Sequence, residues 1–240
     1  MTGAGEPALW RGLPVVSAAR MRELDFDATA RFGLPAAELM ENAGRAVAER
    51  TLALLGGRTP GRPARIVAVC GRGANGGDGL VAARHLRARG AQAEAFVLPP
   101  KAGGAYPGLV RANLEAARAA GVAVVELGAR SGLAAALARA DAALDAVLGT
   151  GGAGAPAGAA HHAVAELARA KIPVIAVDLP SGLDADTGEP SRPCVRAALT
   201  LTLGLPKRGL LAARARAFVG ELETLDIGYP AALVDEARAG

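Results

Sequence analysis

The 240-residue chain is poor in aromatic side chains, with one Trp, two Tyr and four Phe. Its core must therefore be built from Ala, Val, Leu and Ile. No segment interleaves rings with arginines, as a groove for single-stranded nucleic acid does. Lysine is as sparse: of 27 basic residues only Lys101, Lys171 and Lys207 are lysines. The formal net charge of +4 rests on arginines spread along polar helix faces, which reads as a solvated surface rather than a nucleic-acid footprint. Two cysteines, Cys70 and Cys194, form neither a disulfide framework nor a metal site. Cys70 ends an apolar run and reads as a buried thiol. No stretch of about 18 residues runs free of Gly, Pro and charge, which argues against a transmembrane helix. Residues 1–12 lack the apolar centre of a signal peptide. The expectation is a cytoplasmic protein with neither nucleic acid nor membrane as partner.

With 51% apolar and 21% charged residues, the chain is globular in composition and long enough for one α/β domain with a large core. Residues 1–13, rich in Gly and Pro, read as a loose N-terminal tail, and 14–240 as a single domain. Ser17 can cap a helix running to about Arg31, and a second helix spans 36–55 and stops at Gly56. From residue 65 onward, strands at 65–70, 93–98, 122–126, 141–147 and 173–178 alternate with helices at 77–89, 107–120, 131–139 and 158–170. Strands at 197–203 and 219–225 extend the series. Such alternation predicts a doubly wound parallel sheet with right-handed crossovers.

In such a sheet ligands bind beyond the carboxyl ends of the strands. Three strand ends carry more Gly, Asp and Ser than a turn needs: residues 71–79, 145–156 and 177–188. Their meeting at one edge points to a site. Gly71, Gly73 and Gly76 satisfy the spacing of a dinucleotide fingerprint. Two residues weaken that reading. Glu94 lies near the start of its strand, where it cannot hold a ribose, and Asp78 puts a carboxylate where pyrophosphate would need positive potential. Asn75, Asp145 and Ser181 instead offer hard oxygen ligands suited to an alkali or alkaline-earth ion, although on sequence alone the simpler reading has Asp145 cap a loop and Ser181 a turn. Asp178, ending an apolar strand, is the best acid/base candidate, or a hydrogen-bonded loop Asp. Asp184 and Asp186 serve the shape of their turn. His85, His161 and His162 read as surface residues, and Lys207 either reaches an anion at the sheet edge or is a solvated loop lysine.

Six blocks carry a family resemblance: LMENAGRAVAE (39–49), GRGANGGDGLVAARHL (71–86), DAVLGTGGAGAP (145–156), VDLPSGLDADTG (177–188), LTLGLPKRGLL (201–211) and DIGYP (226–230). In this order they resemble the NAD(P)H-hydrate epimerase family, also called the YjeF N-terminal domain, over about residues 14–230. The resemblance implies a three-layer Rossmann-like fold. It also implies epimerisation of the R and S forms of hydrated NADH and NADPH, whose nicotinamide ring carries a hydroxyl at C6. By the same resemblance Ala74, Asn75, Gly76, Gly77, Asp78, the run Gly149, Thr150, Gly151, Gly152, Ala153, Gly154 and Ala155, and Asp178 contact the hydrate. Asn75, Asp145 and Ser181 bind one potassium ion (K+) per subunit. The family usually has Asn where this chain has Ala74 and a bulky residue where it has Gly152. These departures touch affinity rather than reaction class. The implied partners are an ADP- or ATP-dependent hydrate dehydratase on another chain and a second copy, in a homodimer through the N-terminal helices. The alternative is a non-catalytic nucleotide-binding or dimeric scaffold module of the same fold. The intact Asn75, Asp145, Asp178 and Ser181 argue against it.

Overall fold

The computed structural model of the protein describes residues 9–56, 59–101, 104–128, 132–152 and 154–239. The chain enters through a ribbon in which β1 (Leu9–Trp10) pairs antiparallel with β2 (Leu13–Pro14). Arg11 and Gly12 both take positive φ at its turn, as a tight hairpin requires. The loose tail expected over 1–13 is therefore paired chain from Leu9 onward, and residues 1–8 lie outside the described residues. Helix α1 (Ala18–Ala30) starts at its expected cap, where the Ser17 hydroxyl accepts from the Arg20 N–H at 3.0 Å. Helix α2 (Ala36–Leu55) buries the stripe Leu39, Met40, Ala43 and Val47.

There follow β3 (Arg65–Cys70), α3 (Ala74–Ala88), β4 (Gln92–Val97), α4 (Gly108–Ala119), β5 (Ala123–Glu126), α5 (Leu133–Leu137), β6 (Ala142–Ala146) and α6 (Gly158–Arg169). The chain continues through β7 (Val174–Val177), β8 (Leu199–Leu203), the single turns α7 (Arg208–Leu211) and α8 (Arg216–Val219), β9 (Glu221–Leu225) and α9 (Ala231–Ala239). The seven strands β3 to β9 form one sheet in the order β5-β4-β3-β6-β7-β8-β9, every neighbouring pair parallel.

Strand side chains alternate between faces. On β3, Ile66, Ala68 and Cys70 join a core shared with α1, α2, α3, α4 and α9, whereas Val67 and Val69 join a second core beneath α5 and α6. Helices thus cover both faces, which is why these strands read as nearly continuous apolar runs.

Helix α3 departs from expectation. Its predicted start was residue 77, but it begins at Ala74 and takes Gly76, Gly77 and Gly79 into helical backbone. Glycine in a helix interior costs about 1 kcal/mol relative to alanine. Close approach offsets the cost. A Cβ on Gly76 would stand 1.9 Å from the Gly71 carbonyl oxygen, one on Gly77 2.6 Å from the Met40 sulfur, and one on Gly79 2.5 Å from the Ala146 Cβ. From the facing helix, a Cβ on Gly44 would meet the Val81 Cβ at 2.4 Å. These glycines let α3 sink between β3, β6 and α2.

Candidate active site

The chain leaves β3 towards β4 and β5 on one side and returns to β6 on the other. The loops after β3 and β6 therefore part at a switch point, opening a crevice at the carboxyl edge of the sheet. Gly71 closes the last rung between the two strands, its N–H donating to the Ala146 carbonyl at 2.8 Å. Above it lies a cavity of about 700 Å³, a size suited to a small-molecule ligand.

Ala74, Asn75 and Asp78 line it from α3. Gly149, Thr150, Gly151, Gly152, Gly154 and Ala155 line it from the β6–α6 loop, and Asp178 from the end of β7. These ten expected contacts are thus brought together. Gly76 and Gly77 instead lie buried against Gly71 and Met40, and Ala153 lies outside the described residues. Arg22 of α1 donates to the Thr150 carbonyl at 3.1 Å, tying the glycine loop to the helix across the cavity.

The three expected ion ligands divide. Asn75 is 8% exposed and reaches the cavity wall, yet neither its Oδ1 nor its Nδ2 has a hydrogen-bond partner among the described residues. An unpaired buried amide costs about 1–3 kcal/mol. Asp145 and Ser181 lie beneath, fully buried and joined. Asp145 Oδ2 accepts from the Ser181 N–H at 2.7 Å, and Oδ1 accepts from its hydroxyl at 2.6 Å. The same hydroxyl oxygen accepts from the Leu148 N–H at 2.9 Å. Burial pushes the Asp145 carboxyl up to about 6, against the opposing pull of those Ser181 donors.

Asp178 sits at φ +70°, a left-handed backbone that few residues other than Gly, Asn and Asp adopt. Its Oδ1 accepts from the Lys207 ammonium at 2.5 Å. Asp78 is 8% exposed, and burial, then the negative charges of Asp178 and Asp25, hold its carboxyl well above the usual range. At the mouth, Tyr229 donates to Asp25 of α1, and both line the cavity.

Asp25 and Tyr229 are the site residues that sequence reasoning did not place, and of the two readings left open for Lys207 the structure bears out the one that reaches an anion at the sheet edge. Lys207 carried one usable signal: it closes the Leu-Gly-Leu-Pro run that leaves a buried strand, in a chain with few lysines. Among the described residues no group of three or more His, Cys, Asp or Glu side chains converges to hold a metal. Among the described residues no helix is long and apolar enough to cross a membrane.

Residues 36–209 match the family described as YjeF-related protein N-terminus. The chain is 39% identical over 223 residues to the NAD(P)H-hydrate epimerase of Pirellula staleyi, covering 92% of this chain and 95% of that one. It is 41% identical over 227 residues to the bifunctional NAD(P)H-hydrate repair enzyme of Moorella thermoacetica, there covering 92% of this chain but only 41% of the longer relative. Among solved structures, yeast YNL200c superposes with a TM-score of 0.80 at 25% identity, over 94% of this chain and 93% of that one. Sequence blocks, sheet order and relatives of matching length agree: the chain belongs to the YjeF N-terminal family.

Proposed function

We propose that this chain interconverts the R and S epimers of hydrated NADH and NADPH at C6 of the nicotinamide ring, as a nucleotide-repair isomerase. The observation that carries this reading is the pair of carboxyl groups, Asp78 and Asp178, facing one cavity in opposite chemical settings. The full-length relative named an epimerase supports it.

The reaction balances as a loss and return of water. The N1 lone pair forms a C6=N1 double bond as the C6–O bond breaks, and the oxygen takes a proton from a carboxyl group and leaves as water. Water then adds to the other face of the ring, forms the new C6–O bond and gives a proton to a carboxylate. Asp78, whose carboxyl is pushed well above the usual carboxylate range by burial and then by Asp178 and Asp25, suits the first proton transfer. Asp178, engaged through Oδ1 by the Lys207 ammonium, keeps Oδ2 as an acceptor for the second; the proton then rests on Asp178, a state ready for the reverse interconversion, and exchange with water returns it to Asp78. Both carboxyl groups also favour the cationic ring between the two steps.

We also infer a potassium ion held by Asn75, Asp145 and Ser181. The fit rests on the orphaned buried Asn75 amide in the first turn of α3 and on the buried Asp145 carboxylate of β6 and Ser181 hydroxyl after β7, joined to each other, an all-oxygen set that suits a hard monovalent ion. When bound, the ion supplies positive charge that orders the loops after β3, β6 and β7. The reading extends to a homodimer through α1, where Phe26 is 70% exposed and Phe32, just beyond it, 38%. It also extends to a separate dehydratase that consumes one epimer in the cytoplasm.

The test is to mix the chain with one purified epimer and follow the other by chromatography. Acceleration over the spontaneous rate is expected. Asp178→Asn is expected to bind the hydrate with at least about 100-fold lower kcat, the range lost with a general acid or base. Wild-type turnover by that variant would sink the assignment.

A further inference from the structure

Lys207 is 1% exposed on the cavity floor, an unusual place for a lysine. Its ammonium donates to Asp178 Oδ1 at 2.5 Å, to the Leu203 carbonyl at 2.7 Å and to the Thr202 hydroxyl at 3.2 Å. An ammonium has three protons, and all three are engaged. None remains for a substrate phosphate or a departing hydroxyl, so what Lys207 does, it does through Asp178.

The other end of the pair is as tightly determined. The Asp178 N–H donates to the Leu201 carbonyl at 2.8 Å, and its backbone stands at φ +70°. With Oδ1 on the lysine, Oδ2 points to the opposite wall, 3.2 Å from where a Cβ on Gly149 would stand. Two backbone bonds pin the lysine's own segment to the chain entering α1. The Val16 N–H donates to the Pro206 carbonyl and the Arg208 N–H to the Val16 carbonyl, both at 3.0 Å. Buried ion pairs are weak stabilising devices, often matched by apolar residues of similar volume. A pair of this kind on a cavity floor serves geometry better than it serves stability.

We propose that Lys207 is a positioning residue for the reaction, holding Asp178 Oδ1 so that Oδ2 meets the nicotinamide ring. The proposal rests on the epimerase reading given above. The charged and titratable groups facing Asp178 are Lys207, Asp78 of α3, Asp25 of α1 and Tyr229 after β9.

The experiment is a kinetic double-mutant cycle on the full chain with a purified epimer. Lys207→Met is expected to lower kcat about 100-fold while KM moves less than about threefold, the signature of an interaction lost in the transition state. In an Asp178→Asn background the same change is expected to cost little more, because its route is already cut. A loss that appears in KM, or that multiplies undiminished on Asp178→Asn, overturns the proposal. Should Lys207→Met fail to fold, Lys207→Arg enters the cycle under the same criteria.

A second measurement needs no turnover. With three lysines in the chain, the ¹⁵N signal of the Lys207 ammonium is readily assigned. It is expected to exchange slowly with water, and faster in Asp178→Asn. Exchange as fast as that of Lys171 in the wild-type chain overturns the proposal. Slow exchange in a chain that does not accelerate epimerisation would leave the pairing intact and refute the epimerase reading alone.

Discussion

Gly149→Ala separates the site from the fold. Gly149 is absent from the glycines with positive φ, so its backbone accepts a side chain. The added Cβ would stand 3.1 Å from the Asn75 Cβ, 3.2 Å from Asp178 Oδ2 and 3.3 Å from the Asn75 Cγ. Each separation is a few tenths of an ångström inside the optimal contact of about 3.5–4.0 Å. Something must move, and the groups that must move are the orphaned amide and the reacting carboxylate. Overpacking of this order costs about 1–3 kcal/mol. Falling on the reacting groups, it becomes a loss of about 5- to 150-fold in kcat/KM. Stability should fall by no more than that overpacking, because the crowded groups are side chains that can shift towards the cavity and alanine restricts the unfolded chain by about 0.4–1 kcal/mol. Gly76→Ala is the contrast. Its Cβ would stand 1.9 Å from a backbone oxygen that cannot yield. A penalty of about 4 kcal/mol or more lowers Tm by roughly 10 °C in a chain of this size. The assay is epimer chromatography beside calorimetry on both variants. Wild-type kcat/KM in Gly149→Ala, or equal Tm losses in the two, would refute the reasoning.

Three further outcomes follow from the buried polar groups. The Asp145 carboxyl titrates near 6 in the folded chain and near 4 unfolded, so the ion-free protein binds more protons than its unfolded form across that window. Its stability should therefore fall between pH 4 and pH 6 by on the order of 3 kcal/mol, and Asp145→Asn should flatten this slope in urea melts. Above pH 6, 100 mM potassium should raise Tm and sodium should do so less; Asn75→Ala should abolish the difference, and a potassium shift that survives it would remove Asn75 from the ligand set. Asp78→Asn should lower kcat about 100-fold or more without unfolding the chain, because burial already disfavours the charged form of the native group; wild-type kcat would return both proton transfers to Asp178.

The layers and the sheet were legible because hydrophobic period and turn chemistry agree along most of the chain. Strand ends fell within about two residues of expectation since Gly or Pro punctuates most of them. The start of α3 was not legible, because propensity argues against helix at Gly76 and Gly77, and only contact with Gly71 and Met40 explains their backbone. Asn75, Asp145 and Ser181 stood out by residue type, but their division between wall and sublayer depends on which loop lies deeper. His85 shows the same limit. Read as a surface histidine, it meets the Glu41 carboxylate at 2.7 Å across the α2–α3 contact, a pairing between elements that no local pattern encodes. Lys207 was ambiguous for the same reason, since its partner Asp178 is 29 residues away.

The glycines that seat α3 also limit how this wall can diversify. Gly76, Gly77 and Gly79 cannot carry an added atom without displacing a strand, a neighbouring helix or the turn before them. The first two turns of the helix therefore offer the ligand three variable side chains, at positions 74, 75 and 78. With Asn75 and Asp78 committed to charge and proton chemistry, Ala74 is the one position there free to drift. Divergence in substrate preference should then accumulate on the opposite bank, at exposed positions such as Gly151 and Ala155; a Cβ on Gly151 meets nothing within 4 Å.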